Sequence, residues 1–255
     1  MSIVDLFSLT GKVALVTGGG AGIGKAISLM FAESGAMVAC TDRNLDDANN
    51  VAAECRKFGS KAIGLQLDVT SETDRIAVVE AVAKEFGTLS ILVNNAGGGG
   101  PKPFGMPMAD FDWAFQLNVY SLFRLSQIVH PYLKSAGGGA IINISSMAGE
   151  NKNKHMCSYG ASKAAVNHLT RNMAFDLGPD NIRVNAIAPG AIRTAALASV
   201  LTPEIEQTML KHTPLGRLGE GVDIAAAALF LATPASSWIS GQVLTVSGGG
   251  SQELD

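Results

Sequence analysis

Seven short apolar runs recur along the chain with room for a helix between them: KVALVT (12–17), AMVACT (36–41), KAIGLQL (61–67), SILVN (90–94), AIINIS (140–145), IRVNAIA (182–188) and QVLTV (242–246). Short β-branched runs without polar alternation predict strands buried on both faces. Between them lie helical patterns near 22–34, 44–58, 71–86, 110–135, 157–177 and 221–232, several opened by Asn, Asp or Ser, with Gly35, Gly59, Gly87 and Gly178 as the expected closers. Such alternation implies parallel pairing through crossovers, because a hairpin cannot reach a parallel neighbour. The predicted fold class is α/β, a doubly wound parallel sheet of seven strands, and 255 residues suit one such domain over 1–255. Residues 190–220 break the alternation with Pro189, Gly190, Pro203 and Pro214. They are expected to form a small helical lid, a peripheral insertion being the alternative.

Composition narrows the partners. Lys and Arg number 19 against 22 Asp and Glu, a net charge of −3, and the cations are spread from Lys12 to Arg217 without a run. Neither a nucleic-acid partner nor a membrane-binding patch is expected. With 47% apolar and 16% charged residues, the chain has ample material for a core. Cys40, Cys55 and Cys157 form neither a C-x-x-C pair nor a zinc spacing, which points to a reducing compartment. The stretch Met1 to Phe7 has no leader-like pattern and no apolar run approaches the ~18 residues of a membrane span, so a soluble cytoplasmic protein is expected.

After the first run comes Thr17-Gly18-Gly19-Gly20-Ala21-Gly22-Ile23-Gly24-Lys25, leading into a helix. Glycines let a backbone approach an anion closely, and the helix N-terminus then stabilises its charge. The spacing G-x-x-x-x-G-K is met, but Ala26 stands where a P-loop needs a magnesium-binding hydroxyl. What fits is T-G-x-x-x-G-x-G, with Gly18, Gly22, Ile23 and Gly24 at the phosphates. Asp42 follows the second run, where a carboxylate can accept both ribose hydroxyls of adenosine and repel a 2′-phosphate. NAD is the expected cofactor. Arg43 beside it could pair with a 2′-phosphate and keeps NADP in play. The plainer alternative for Asp42 is an exposed residue opening the next helix.

Tyr159 and Lys163 stand at i and i+4 on the 157–177 helix and so share a face. Ser146 lies thirteen residues earlier at the end of the fifth predicted strand, with Ser145 as its rival, and Asn118 sits on the preceding helix. His130, His155, His168 and His212 show no metal-ligand spacing, and no metal is expected.

These residues together resemble the short-chain dehydrogenase/reductases. T-G-x-x-x-G-x-G at 17–24, Asn94-Asn95-Ala96-Gly97, Asn118, Ser146, Tyr159-x-x-x-Lys163 and Pro189-Gly190 follow the family's pattern in order over practically the whole chain. The resemblance implies a Rossmann-like fold and reversible hydride transfer to NAD. Tyr159 would be the general base, Ser146 would hydrogen-bond the reacting oxygen, Lys163 would hold the nicotinamide ribose, and Asn118 would hold a water relaying protons from Lys163. A phenol titrates near pH ~10 and is a weak base at neutral pH. An ammonium ~4 Å away is worth a few kcal/mol at an effective dielectric of ~20, so Lys163 and the oxidised nicotinamide are expected to favour tyrosinate. By matched segment, Asp68 and Val69 would hold the adenine; Asn95, Ala96 and Gly97 would lie beside the ribose; and Pro189, Gly190, Ile192, Arg193 and Thr194 would meet the nicotinamide end. Asp68 could equally be a strand-end turn residue, and Asn118 a satisfied helix-interior amide. The family is typically tetrameric, and the apolar helices 110–135 and 157–177 with the C-terminal segment lead to the expectation of a homotetramer.

Three segments should converge on the nicotinamide: Gly97 to Met108, Met147 to Met156, and Ala191 to Met209. Met106, Met147, Met156, Leu197, Leu201, Ile205 and Met209 would suit a bulky apolar secondary alcohol, although core packing explains each singly. The segments NNAGGGGPKPF, SSMAGENKN, RNMAFDLG, LTPEIEQ and LTVSGGGSQEL are similar to those of bacterial members of the family that oxidise bile acids. That similarity implies oxidation of the 7α-hydroxyl of a steroid or bile acid, with Gly99, Ser146, Asn151 and Tyr159 meeting the substrate. A thioester-linked 3-oxoacyl reductase and a nucleotide-sensing module without catalysis are the alternatives.

Overall fold

The computed structural model describes residues 2–199 and 201–250. Seven strands, β1 (Val13–Thr17), β2 (Met37–Asp42), β3 (Ala62–Gln66), β4 (Ile91–Asn94), β5 (Gly139–Ile144), β6 (Ile182–Pro189) and β7 (Val243–Val246), form one sheet in the order β3-β2-β1-β4-β5-β6-β7. Every neighbouring pair is parallel. The helices are α1 (Ile3–Leu6), α2 (Gly22–Glu33), α3 (Leu45–Arg56), α4 (Glu72–Phe86), α5 (Met108–Phe115), α6 (Ser121–Ser135), α7 (Cys157–Leu177), α8 (Ala195–Ala198), α9 (Pro203–Lys211) and α10 (Gly221–Ala232).

The period of two along each strand divides the core. Ala14, Val16, Val38 and Cys40 point to one face, where they pack with Ile27 and Phe31 of α2, Val51 of α3 and Ile224 and Ala228 of α10. Val13, Leu15, Ala39 and Leu92 point to the other, against Val79 and Val82 of α4, Leu125 and Val129 of α6 and Val166 and Met173 of α7. Both faces are therefore covered by helices, as continuous apolar strands require. The two edges depart from the expectation of full burial: in β3 only Ala62 is buried, and Leu244 and Thr245 of β7 are exposed. Strand order turns back between β1 and β4, and the crevice at the carboxyl ends of these strands is where ligands of such sheets bind.

Two helix boundaries also differ from the sequence reading. Gly35, Gly59 and Gly87 take positive φ after their helices, but Gly178 does not. Pro179, with its φ preset for a helical turn, carries the chain through one 3-10 turn (Gly178–Asp180), and Asn181 takes the left-handed conformation instead. The single helix expected over 110–135 is α5 and α6 joined by a π-turn, Gln116–Tyr120.

Candidate active site

At the end of β1, the Thr17 hydroxyl donates to the Val93 carbonyl (3.2 Å) and accepts from the N–H groups of Asn95 (3.0 Å) and Ala96 (2.9 Å). The Asn95 amide in turn donates to the carbonyls of Thr17 (2.9 Å) and Gly18 (3.0 Å). The glycine turn and the loop after β4 are thus one hydrogen-bonded unit. A Cβ on Gly24 would lie 2.0 Å from the Gly18 carbonyl oxygen, so only glycine lets α2 start this close to the turn. No side chain caps α2 at Ala21, and Ala21, Gly22 and Ile23 face a cleft of about 760 Å³.

Asp42 is the last residue of β2. Its carboxylate accepts from Gly20 N–H (3.2 Å) and Asn44 N–H (3.1 Å). Asn44, not Asp42, caps α3, which removes the helix-opening alternative for Asp42. Arg43 lines the cleft, whereas Asp42, Asp68 and Val69 are not among its lining residues. Asp68 accepts from both the N–H (2.8 Å) and the hydroxyl (2.6 Å) of Thr70, and these bonds, helped by Arg43 and Arg75, hold its carboxyl below the ordinary range. Asp68 is therefore a turn-forming residue in this structure. The Val69 carbonyl accepts from Arg75.

α7 begins at Cys157, so Tyr159 and Lys163 occupy its first two turns, beside Ser146 at the end of β5. The Ser146 hydroxyl accepts from Ala148 N–H (3.1 Å) and lies close enough to the Tyr159 phenol to oppose the rise of its pKa. Ser145 is directed elsewhere: buried, it donates to the Lys163 carbonyl at 3.1 Å and anchors the helix backbone. The Lys163 ammonium donates to the Ile144 carbonyl (2.9 Å) and lies 5.8 Å from the centre of the Tyr159 ring.

Burial pushes the Tyr159 phenol above its ordinary value, with the Ser146 hydroxyl opposing, and burial pulls Lys163 down to about 8. Desolvation is the leading influence on both groups in the chain alone, whereas the expected tyrosinate draws on Lys163 together with the charge of an oxidised nicotinamide. Asn118 sits in the π-turn, its Oδ1 accepting from Gly98 N–H (3.0 Å) and its Nδ2 donating to the Gly98 carbonyl (2.9 Å) and the Ser162 hydroxyl (3.0 Å). Both amide protons are committed. Ser162 in turn donates to the Tyr159 carbonyl (2.7 Å), tying the π-turn to the catalytic turn of α7. A Cβ on Gly99, whose φ is +137°, would fall 2.6 Å from Cδ2 of Tyr159.

The cleft gathers Asn95, Gly97, Gly99, Ser146, Tyr159, Lys163, Pro189, Gly190, Ile192 and Thr194 from the sequence reading, together with Met156, Leu197 and Met209. Other expectations are not met. Arg193 is absent from the lining, its guanidinium engaged by Glu206 (2.5 Å) and Glu220 (3.5 Å). Asn151 lies outside the lining and Asn153 takes its place. Met106, Met147, Leu201 and Ile205 are absent from the lining; Met147 is core and Ile205 is exposed. His155 is exposed, as a solvated loop histidine would be. Ser162, Asn153 and His212 were missed by sequence reasoning; only Ser162, beside Lys163, had a local signal. No cluster able to hold a metal is found among the described residues.

Across the excursion, Arg193 N–H donates to the Gly219 carbonyl (2.7 Å) and Gly219 N–H to the Ala191 carbonyl (3.0 Å). These bonds fasten its two ends together, so α8 and α9 form a closed loop over the cleft.

A family model described as enoyl-(acyl carrier protein) reductase matches residues 18–251. The chain belongs to the short-chain dehydrogenase/reductase family. Among short-chain dehydrogenase/reductases, it is 59% identical over 251 residues to the 7alpha-hydroxysteroid dehydrogenase of Escherichia coli (strain K12), covering 98% of each chain. It is 38% identical to the 3-oxoacyl-[acyl-carrier-protein] reductase of Thermotoga maritima, covering 95% of this chain and 98% of that protein... the two relatives thus represent the two enzyme readings of the sequence. A solved structure of 7 alpha-hydroxysteroid dehydrogenase complexed with NADH and 7-oxo glycochenodeoxycholic acid superposes with a TM-score of 0.97 at 59% identity, covering 100% of both chains.

Proposed function

We propose that the protein is an NAD-dependent dehydrogenase that reversibly oxidises the 7α-hydroxyl of a bile acid or related steroid to the 7-oxo form. The observation that carries this reading is the gathering of Ser146, Tyr159 and buried Lys163 in one cleft lined by Met156, Leu197 and Met209, in a chain 59% identical over 98% of its length to a 7alpha-hydroxysteroid dehydrogenase.

The residues present suit a dinucleotide. The uncapped start of α2 and the space that a Cβ on Gly24 would fill form a cradle for a pyrophosphate, which Gly18, Gly22, Ile23 and Gly24 would hold. Each Asp42 oxygen has one protein donor and keeps a lone pair for a ribose hydroxyl. Arg43, Asn95, Ala96, Gly97, Pro189, Gly190, Ile192 and Thr194 would complete the site, with Asp68 and Val69 near the adenine. When bound, NAD supplies the hydride acceptor and a positive charge at the nicotinamide.

Tyr159 accepts the proton of the substrate hydroxyl, and Ser146 donates a hydrogen bond to the same oxygen as it becomes a carbonyl. Lys163, held on the Ile144 carbonyl, places its ammonium where it favours the tyrosinate. Because both side-chain amide protons of Asn118 are committed, the side chain holds the Gly98 loop and the π-turn, and a relay water would be held through an acceptor oxygen of Asn118. Gly99 leaves room for the Tyr159 ring. Residues of about 190–220 act as a lid on a single dinucleotide-binding and catalytic domain.

The assembly is a homotetramer, through exposed Trp113, Phe123 and Phe175 on the α5–α7 side and Trp238 and Leu244 near β7. Light scattering tests it, a monomer at micromolar concentration being the contrary result. No described helix is long and apolar enough to cross a membrane, and the three cysteines are free thiols, in keeping with a cytoplasmic enzyme. One assay separates the enzyme readings: reduction of NAD or NADP with a 7α-hydroxy bile acid and with a 3-hydroxyacyl thioester. Turnover of the bile acid with NAD is the result expected; turnover of the thioester alone, or of neither, would overturn the reading.

A further inference from the structure

Ser162 is fully buried one residue before Lys163, on the face of α7 turned to the π-turn. Serine is a poor residue for a helix interior because its hydroxyl competes for the backbone, and a buried hydroxyl needs partners. Ser162 has two. Its oxygen accepts from Asn118 Nδ2 (3.0 Å), and its proton is donated to the Tyr159 carbonyl (2.7 Å). In an α-helix that carbonyl is also the acceptor for the N–H four residues on, which here is Lys163. The main-chain oxygen of Tyr159 is thus where the Ser162 hydroxyl and the Lys163 backbone meet.

The bridge continues beyond Asn118. Its side chain holds Gly98 by the N–H (3.0 Å) and the carbonyl (2.9 Å), and the glycines on either side of Gly98 lie against the two ionisable groups of α7. A Cβ on Gly97 would fall 2.9 Å from Asn118 Oδ1 and 3.2 Å from Lys163 Nζ, and one on Gly99 would fall 2.6 Å from the Tyr159 ring. A closed circuit results, running from the Tyr159 backbone through Ser162, Asn118 and the Gly97–Gly99 loop back to the Tyr159 ring and the Lys163 ammonium. Ser162 links the holder of the loop to the helix and is not among the residues lining the cleft, so it acts on the reaction only through its neighbours. Besides Tyr159 and Lys163, the ionisable side chains lining the cleft are Arg43 at the nucleotide end and His212 beyond α9; His155 and Cys157, near the start of α7, are exposed.

Resting on the dehydrogenase reading, we propose that Ser162 is a positioning residue of the catalytic centre, its hydroxyl joining Asn118 to the Tyr159 carbonyl and so holding the phenol and the Lys163 ammonium at the separation that proton transfer needs. The attraction between an ammonium and a phenolate falls with distance and is strong where water is excluded. A loosened turn therefore appears directly as a phenol that ionises less readily.

The test titrates Tyr159 in the NAD-bound protein by tyrosinate absorbance, each protein being read against its Tyr159→Phe counterpart so that Tyr120 and Tyr132 cancel, and follows kcat against pH with a 7α-hydroxy bile acid. Ser162→Ala keeps a strong helix former in α7. It should raise the Tyr159 midpoint by about half a unit to one unit, lower kcat at neutral pH about three- to tenfold, the range of one hydrogen bond, and leave the NAD dissociation constant within about twofold. Combined with Asn118→Ala the losses should not multiply: the double variant should lie within about twofold of Asn118→Ala alone, because the bridge is already broken. Ser236→Ala removes another buried hydroxyl, one that accepts from Arg183 (2.8 Å) near the start of β6, at the opposite end of the sheet. It should lower Tm and move neither kcat nor the titration. An unmoved Tyr159 titration in Ser162→Ala, losses that multiply in the double variant, or an equal shift in Ser236→Ala overturns the inference. A wild type that forms no NADH from the bile acid, with a Tyr159 titration that still shifts in Ser162→Ala, overturns the steroid reading and leaves the role of Ser162 standing.

Discussion

The glycine turn and the excursion at 190–220 border the same cleft and are held in opposite ways. The turn is locked by backbone: Gly24 has no room for a Cβ, Thr17 and Asn95 join it to β4, and α2 buries Ile27 and Phe31 in the core. The excursion is fastened near its ends, through Ala191, Arg193 and Gly219 and by the Leu215 N–H on the Gly248 carbonyl (3.1 Å), and α9 buries no residue at all. One side of the cleft can accept almost no variation without moving the sheet, whereas the other can change its side chains at little cost to the fold. A cofactor site shared by relatives with different substrates follows from that division.

The strongest way to break the comparison is at the reacting centre. Tyr159→Phe should lower kcat by ~10²–10⁴-fold, the range of general-base catalysis, with NAD binding retained in a fluorescence titration. A loss of less than about tenfold would remove Tyr159 as the base. Lys163 gives the next largest effect, read as stability. Its folded pKa of about 8 is below the ordinary 10.5, so its contribution is present above 10.5 and is lost as pH falls through about 8. Relative to Lys163→Met, the wild type should gain up to about 3 kcal/mol in urea unfolding between pH 7 and pH values above 10.5. A parallel pH dependence of the two proteins would mean that the ammonium is not buried.

The sheet and the locked half were largely legible in the sequence, because burial between two helical layers imposes continuous apolar runs and the cradle imposes glycine. All seven strands fall within a residue or so of their predicted places, and Asp42 falls at the end of β2. The π-turn had no such signature: Asn118 needs it to reach Gly98 and Ser162, and a single extra residue in a turn leaves the 3.6-residue period almost intact. The mouth of the cleft was read least well. Arg193, Asn151 and Ile205 miss the cleft while Asn153 and His212 reach it, because side-chain direction there is set by the fastened ends of a loop rather than by a repeating period.

Two smaller effects sharpen the contrast. Asp42→Ala should weaken NAD by about tenfold, as expected for loss of a charged hydrogen-bond acceptor, and improve NADP relative to NAD; an unchanged preference would detach Asp42 from the ribose. Leu197→Ala on the excursion should raise KM for the steroid about three- to tenfold, less than the ~1.5–3 kcal/mol of a fully buried leucine would imply at its upper end, and leave a short secondary alcohol nearly untouched. Equal losses on both would mean that the excursion acts through cofactor closure and not through ring contact.

The most direct measurement is the initial rate of NADH formation by the purified protein with a 7α-hydroxy bile acid and, separately, with its 7β epimer, with the product identified by mass spectrometry. Oxidation of the 7α compound to the 7-oxo acid, with the 7β epimer turned over far more slowly, is the result expected. No NADH from the 7α compound, or equal rates on the two epimers, would contradict the assignment.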